Sequence, residues 1–172
     1  MKTLYYKFMA FVVTWLLRLL PRNAPVVYKG LNSALVMCEQ VGILGFTRVL
    51  IVTDNFLGSS GILDGIKKTL TDSGVEFAVY DGVLPDPAFD QVQEGEAVYR
   101  REKCEAVIAV GGGSVLDAAK MVAMLHTNPG PLTSFDGIQK CKKPGVPLFA
   151  IPTTAGTGSE ITLAAVITDP ES

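Results

Sequence analysis

The chain has 172 residues, of which 48% are hydrophobic, 19% charged and 8% aromatic, and its formal net charge is -2. A chain of that length buries roughly 68–70% of the surface it would expose unfolded, so it builds one core without staples, and disorder is excluded. With 15 Lys and Arg against 17 Asp and Glu there is no basic excess to neutralise phosphate backbones, which excludes nucleic acid as a partner.

Residues 1–22 are expected to form an apolar amino-terminal helix, and residues 23–172 a single domain. Lys7 and Arg18 interrupt the apolar stretch 4–20, so its charge-free run, 8–17, is far short of the roughly twenty residues a bilayer span needs. Pro21-Arg22-Asn23-Ala24-Pro25 has Arg where the small-x-small pattern of a signal-peptide cleavage site wants a small residue. Thr3, Lys7, Thr14 and Arg18 fall within an arc of roughly 60° on a helical wheel. Such a helix packs on its own protein, packs on a second subunit of a homo-oligomer, or lies in a membrane surface with Lys7 and Arg18 snorkelling. The expected location is the cytoplasm, with membrane association through residues 4–20 as the variant.

Beyond residue 25, short Val- and Ile-rich runs alternate with longer amphipathic stretches, the pattern of parallel strands joined by crossover helices. Strands are expected at 26–28, 48–53, 76–80, 106–110 and 148–151. Each is an almost unbroken apolar run, as when both faces of a sheet are covered. Helices are expected at 33–41, 62–73, 88–103 and 115–126, stopped by Gly45, Gly74 and the turn Asn128-Pro129-Gly130. Residues 129–147, rich in Pro, Gly and Lys, read as an exposed loop. Cys38, Cys104 and Cys141 form neither a C-x-x-C pair nor a disulfide pattern, which fits a reducing compartment.

Three motifs carry chemistry. After the apolar run 106–110 come Gly111, Gly112, Gly113 and Ser114, and then a helical pattern. Glycines admit a bulky anion to the backbone, and the free N–H groups of a helix start attract it, so a diphosphate suits this turn. The plainer reading is a tight turn before a well-capped helix, with Ser114 and Asp117 forming an S-x-x-D box. Strand 48–53 ends at Asp54, which can accept hydrogen bonds from ribose hydroxyls and would repel a 2′-phosphate, favouring NAD over NADP. Asp54 reads equally as the N-cap of a following helix. After the run 148–151, Thr153, Thr154 and Thr157 sit among glycines and small residues. They suit the sugar and nicotinamide end of a dinucleotide, or simply make a turn.

Taken in order, Ile51-Val52-Thr53-Asp54, the run Tyr80-Asp81-Gly82-Val83-Leu84-Pro85-Asp86-Pro87, the Gly111-to-Ser114 turn with Asp117, and the loop from Pro152 to Glu160 resemble the amino-terminal half of the iron-containing (group III) alcohol dehydrogenases. The resemblance spans residues 26–169. It implies a Rossmann-like, dehydroquinate synthase-like dinucleotide domain and reversible hydride transfer between an alcohol and NAD, giving an aldehyde or ketone. By position, Asp54 would touch the adenosine ribose, Gly111, Gly112, Gly113 and Ser114 the diphosphate, and Thr153, Thr154 and Thr157 the ribose and nicotinamide side. Asp117 would support the turn, and Asp86 would lie near the cleft. The family's divalent metal, iron or zinc, belongs to an all-helical second domain whose ligands lie beyond Asp169. Neither Asp169 nor His126 matches a ligand position, so no metal ligand is assigned. His126 reads as a helix carboxyl-terminal residue favoured by the dipole. Two alternatives remain: a glycerol dehydrogenase or dehydroquinate synthase type of enzyme, which the run from Ala155 to Glu160 disfavours, and a non-catalytic nucleotide-binding fragment of a truncated gene.

Overall fold

The structure, a computed structural model, describes residues 25–137, 140–162 and 164–169. The expected amino-terminal helix lies outside them. Four parallel strands, β1 (Arg48–Val52), β2 (Glu76–Tyr80), β3 (Ala106–Gly111) and β4 (Leu148–Pro152), form one sheet in the order β2-β1-β3-β4. The two inner strands are the most apolar: every residue of β3 and four of the five in β1 are buried, whereas the edge strands are only partly covered.

Because successive side chains point to opposite faces, each inner strand feeds two cores. Leu50, Val52, Val107 and Ala109 pack with Val92 and Tyr99 of α4 (Phe89–Arg101) and Leu116 and Val122 of α5 (Gly113–Thr127). On the other face, Val49, Ile51, Ile108 and Val110 pack with Met37 and Val41 of α1 (Ser33–Ile43) and Ile66 and Leu70 of α3 (Asp64–Asp72). The short helix α2 (Asn55–Ser59) follows β1 directly. The result is a doubly wound helix–sheet–helix sandwich, the α/β class expected. From β1 the chain winds outward to β2, then returns to place β3 on the other flank of β1. That reversal puts the sheet's switch point at the carboxyl ends of β1 and β3, the place where open α/β sheets take their ligands.

The strands expected at 48–53, 76–80, 106–110 and 148–151 are present to within a residue. Residues 26–28 are not a strand. Val26 is 79% exposed and Val27 60%, and the run pairs with no other strand among the described residues. β-branched residues alone do not make a strand without a ladder to join. Gly45 and Gly74 stop their helices with φ of 88° and 74°, the left-handed region glycine tolerates. Residues 129–147 are more structured than an exposed loop: a 3₁₀ turn, Leu132–Phe135, buries Leu132, and the Asn128 carboxamide oxygen accepts from the Lys142 and Lys143 N–H groups at 3.0 and 2.9 Å. Among the described residues no helix is long and apolar enough to cross a membrane.

Candidate functional site

The carboxyl ends of β1, β3 and β4 bring the three sequence motifs to one edge of the sheet. Thr53, wholly buried, donates through Oγ1 to the Val110 carbonyl at 2.8 Å and so pins the exit of β1 to the exit of β3. Asp54 follows it. Its Oδ1 accepts the Leu57 N–H at 2.9 Å, so it caps α2, and the plainer of its two sequence readings is realised. A carboxylate has room for further donors, and Oδ2 makes no hydrogen bond among the described residues. Gly58 packs so closely on Asp81 that a Cβ there would lie 3.0 Å from the Asp81 Cβ, which brings the β2 exit loop against α2.

At the end of β3 the chain enters α5 two residues earlier than expected. Gly112, with φ -79° and ψ -172°, is the N-cap and no side chain caps the helix. Ser114 therefore lies inside the first turn, and the expected capping box does not form. Asp117 turns away instead, accepting from Lys120 Nζ at 2.9 Å and from the Val166 N–H at 3.1 Å. It supports the segment that crosses α5, not the glycine turn's own start.

None of the three glycines has a positive φ, so the backbone conformation does not demand them. Contact does. A Cβ on Gly111 would lie 2.5 Å from that of Val115, on Gly112 3.2 Å from Thr154 Oγ1, and on Gly113 3.0 Å from Thr157 Cγ2. The first glycine thus serves helix packing. The second and third let the loop after β4 close on the helix start. The uncapped first-turn N–H groups of α5 remain as donors for an anion.

The loop after β4 is tied to this turn at its base, where the Thr153 N–H donates to the Gly111 carbonyl at 2.9 Å. Thr154 and Thr157 are exposed, and both lie against the glycine turn. Ser159 is buried beside Gly113. Asp86 is exposed on the β2 exit loop with φ 54°, and no contact joins it to the turn. Sequence reasoning missed Thr53, Ser159 and above all Lys120. The last had one signal, its position three residues after Asp117 on the same helix.

The remaining reactive groups are structural. His126 sits in the last turn of α5 as expected, with Nδ1 3.1 Å from Glu96 Oε1 and its ring against Tyr99. Burial pushes the Cys38 and Cys104 thiols up to about 11, with Glu39 adding to the effect at Cys38, so both stay protonated packing groups near neutral pH. Among the described residues no group of three or more His, Cys, Asp or Glu could hold a metal ion.

A profile of the iron-containing alcohol dehydrogenase family matches residues 24–172. The NAD-dependent methanol dehydrogenase of Bacillus methanolicus is 44% identical over 126 residues, 73% of this chain and 33% of that protein. Among solved structures, a 1,3-propanediol oxidoreductase matches with a TM-score of 0.79 at 39% identity, covering 83% of this chain and 37% of its own. The NADH-dependent butanol dehydrogenase A of Thermotoga maritima gives a TM-score of 0.80 at 31% identity, covering 88% and 38%. The chain spans about a third of the length of the curated relatives it matches.

Proposed function

The chain belongs to the iron-containing alcohol dehydrogenase family, and from that membership together with the uncapped helix start at the sheet's switch point we propose that it binds NAD and forms the cofactor-binding part of an oxidoreductase interconverting an alcohol with an aldehyde or ketone. Bound NAD would supply the hydride acceptor or, reduced, the donor. The chain's own residues bind and orient it. The first N–H groups of α5, at Gly113 and Ser114, with that of Gly112 before them, would take the diphosphate, whose charge the helix dipole favours. Asp54 would accept from the adenosine ribose hydroxyls through the oxygen that does not cap α2. Thr154 and Thr157, seated on Gly112 and Gly113, would add hydroxyl donors beside the diphosphate, and Thr153 would face the nicotinamide ribose.

The observation that carries this reading is the contact set of the glycines. Gly112 and Gly113 let the hydroxyl-bearing loop close on an uncapped helix start, where a Cβ would press on Thr154 and Thr157 at 3.2 and 3.0 Å. The family's metal does not fit the described residues, whose one histidine is engaged with Glu96. The substrate class, a small alcohol or aldehyde, follows from the relatives' names. The free cysteines fit a reducing compartment such as the cytoplasm.

The test is calorimetric titration of the 172-residue chain with NAD, followed by an assay of NADH formation from short-chain alcohols with ferrous or zinc ion present. We expect saturable NAD binding and no alcohol turnover by this polypeptide alone, because a metal that polarises the alcohol oxygen needs a ligand set these residues do not supply. No binding at millimolar NAD would refute the cofactor role. Metal-dependent turnover would refute the ligand argument.

A further inference from the structure

α1 is built unlike the other helices that face solvent. Its sequence, SALVMCEQVGI, is apolar around most of its circumference and carries a single charge, Glu39. α3, by contrast, turns Lys68 and Asp72 to water, and α4 turns Glu94, Arg100 and Arg101. A helix that is apolar all round belongs in an interior. α5 obeys that rule, with eight of its fifteen residues buried, whereas α1 has three of eleven.

The uncovered residues form a stripe. At about 100° per residue, Val36, Gln40 and Ile43 fall within an arc of roughly 60°, with Glu39 at its border. Val36 is 43% exposed and Ile43 73%, and the stripe is prolonged by Leu31 before the helix and Leu44 after it, 95% and 63% exposed. It lies on the side of α1 away from Met37, Cys38 and Val41, which fill the core shared with α3. Among the described residues this outer face has no cover.

The chain carries a match for it. In residues 4–20 only Lys7, Thr14 and Arg18 are neither apolar nor aromatic, and the expected helix leaves them one narrow stripe. An interfacial membrane helix has a broad polar face rich in Lys and Arg, which this segment lacks in a chain of net charge -2. Residues 21–30 join the segment to a tight turn before α1, where Gly30 and Asn32 have φ of 115° and 61° and the Ser33 N–H donates to the Gly30 carbonyl at 3.2 Å. Extended, that tether reaches roughly 33 Å, about twice the length of α1. A second copy would compete with a segment held at a local concentration of roughly millimolar. We propose that residues 4–20 dock on the outer face of α1, over Val36 and Ile43, as an intramolecular cover for this side of the sheet and not as a membrane anchor. The proposal is independent of the cofactor reading.

Trp15 is the chain's single tryptophan, so its fluorescence reports on that segment alone. The test compares the 172-residue chain with Val36→Lys, Ile43→Lys and Ile43→Leu over a range of protein concentrations, with and without vesicles of phosphatidylcholine and phosphatidylglycerol. In the unaltered chain Trp15 should emit at shorter wavelength than free tryptophan, resist quenching by acrylamide, and respond to neither dilution nor vesicles. Both lysine variants should move the emission to longer wavelength and restore quenching while the domain still unfolds cooperatively, because Val36 and Ile43 are exposed. Ile43→Leu should behave as the unaltered chain does. If the lysine variants do not fold, a nitroxide attached at Ile43→Cys in a Cys141→Ser chain, whose remaining cysteines are buried, should quench Trp15. A solvent-exposed Trp15, a shift that the lysine variants leave intact, or a nitroxide that does not quench overturns the proposal. So does a shift lost on dilution, which would mean a second copy, or one seen only with vesicles, which would mean a membrane surface.

Discussion

Asp54 has two tasks that a single substitution can separate. Its Oδ1 caps α2, a contribution of about 1 kcal/mol that asparagine would keep, since Asn is as good an N-cap as Asp. Its charge is what should discriminate between cofactors, by accepting from the ribose hydroxyls of NAD and opposing the 2′-phosphate of NADP. Asp54→Asn should therefore leave the thermal midpoint close to that of the unaltered chain while lowering the NAD-over-NADP ratio of affinities roughly tenfold, the effect of about 1.4 kcal/mol. Titration of both cofactors reads this out, and an unchanged ratio would remove Asp54 from the cofactor. At this scale the sequence could place Asp54, a carboxylate ending an apolar strand, but could not choose between its readings. For Lys120 it offered only the spacing from Asp117, because two of its three acceptors are 42 and 44 residues away in a segment without periodic pattern.

Among the elements, the strand–turn–helix of β3 and α5 contains glycines of different kinds. Gly111 is fixed by the packing of Val115, which a methyl group would approach to 2.5 Å, inside any tolerable contact. A Cβ on Gly112 would lie 3.2 Å from Thr154 Oγ1, on the loop side where the proposed cofactor would sit. Gly111→Ala should destabilise the fold by about 1–3 kcal/mol, the usual cost of overpacking. Gly112→Val should keep a native circular dichroism spectrum and lose NAD binding. If Gly112→Val binds NAD as well as the unaltered chain does, the turn is no diphosphate site. The helix–strand alternation here was legible because burial on both sheet faces demands unbroken apolar runs such as 106–110. The capping box was misread for a local reason: three glycines let the chain turn before Ser114, so the side chain expected at the cap arrives inside the helix. The apolar run at 26–28 misled in the opposite way, having the composition of a strand and no neighbour to pair with.

For the whole molecule, function follows from winding order. Placing β3 beside β1 instead of beside β2 splits the helices between two faces and brings Asp54, the glycine turn and the threonine loop to one edge of the sheet. The order is not visible in any one motif, but the spacing of four motifs along the chain made the family resemblance, and the resemblance carried the fold. The central claim is that the start of α5 is where the cofactor's diphosphate binds, and backbone amide NMR of the isotopically labelled chain tests it most directly. On titration with NAD the largest shifts should fall on the Gly112, Gly113 and Ser114 amides, with smaller ones at Asp54 and in the 153–157 loop. Saturating shifts that leave those three amides unmoved and centre on another face of the sheet would contradict it.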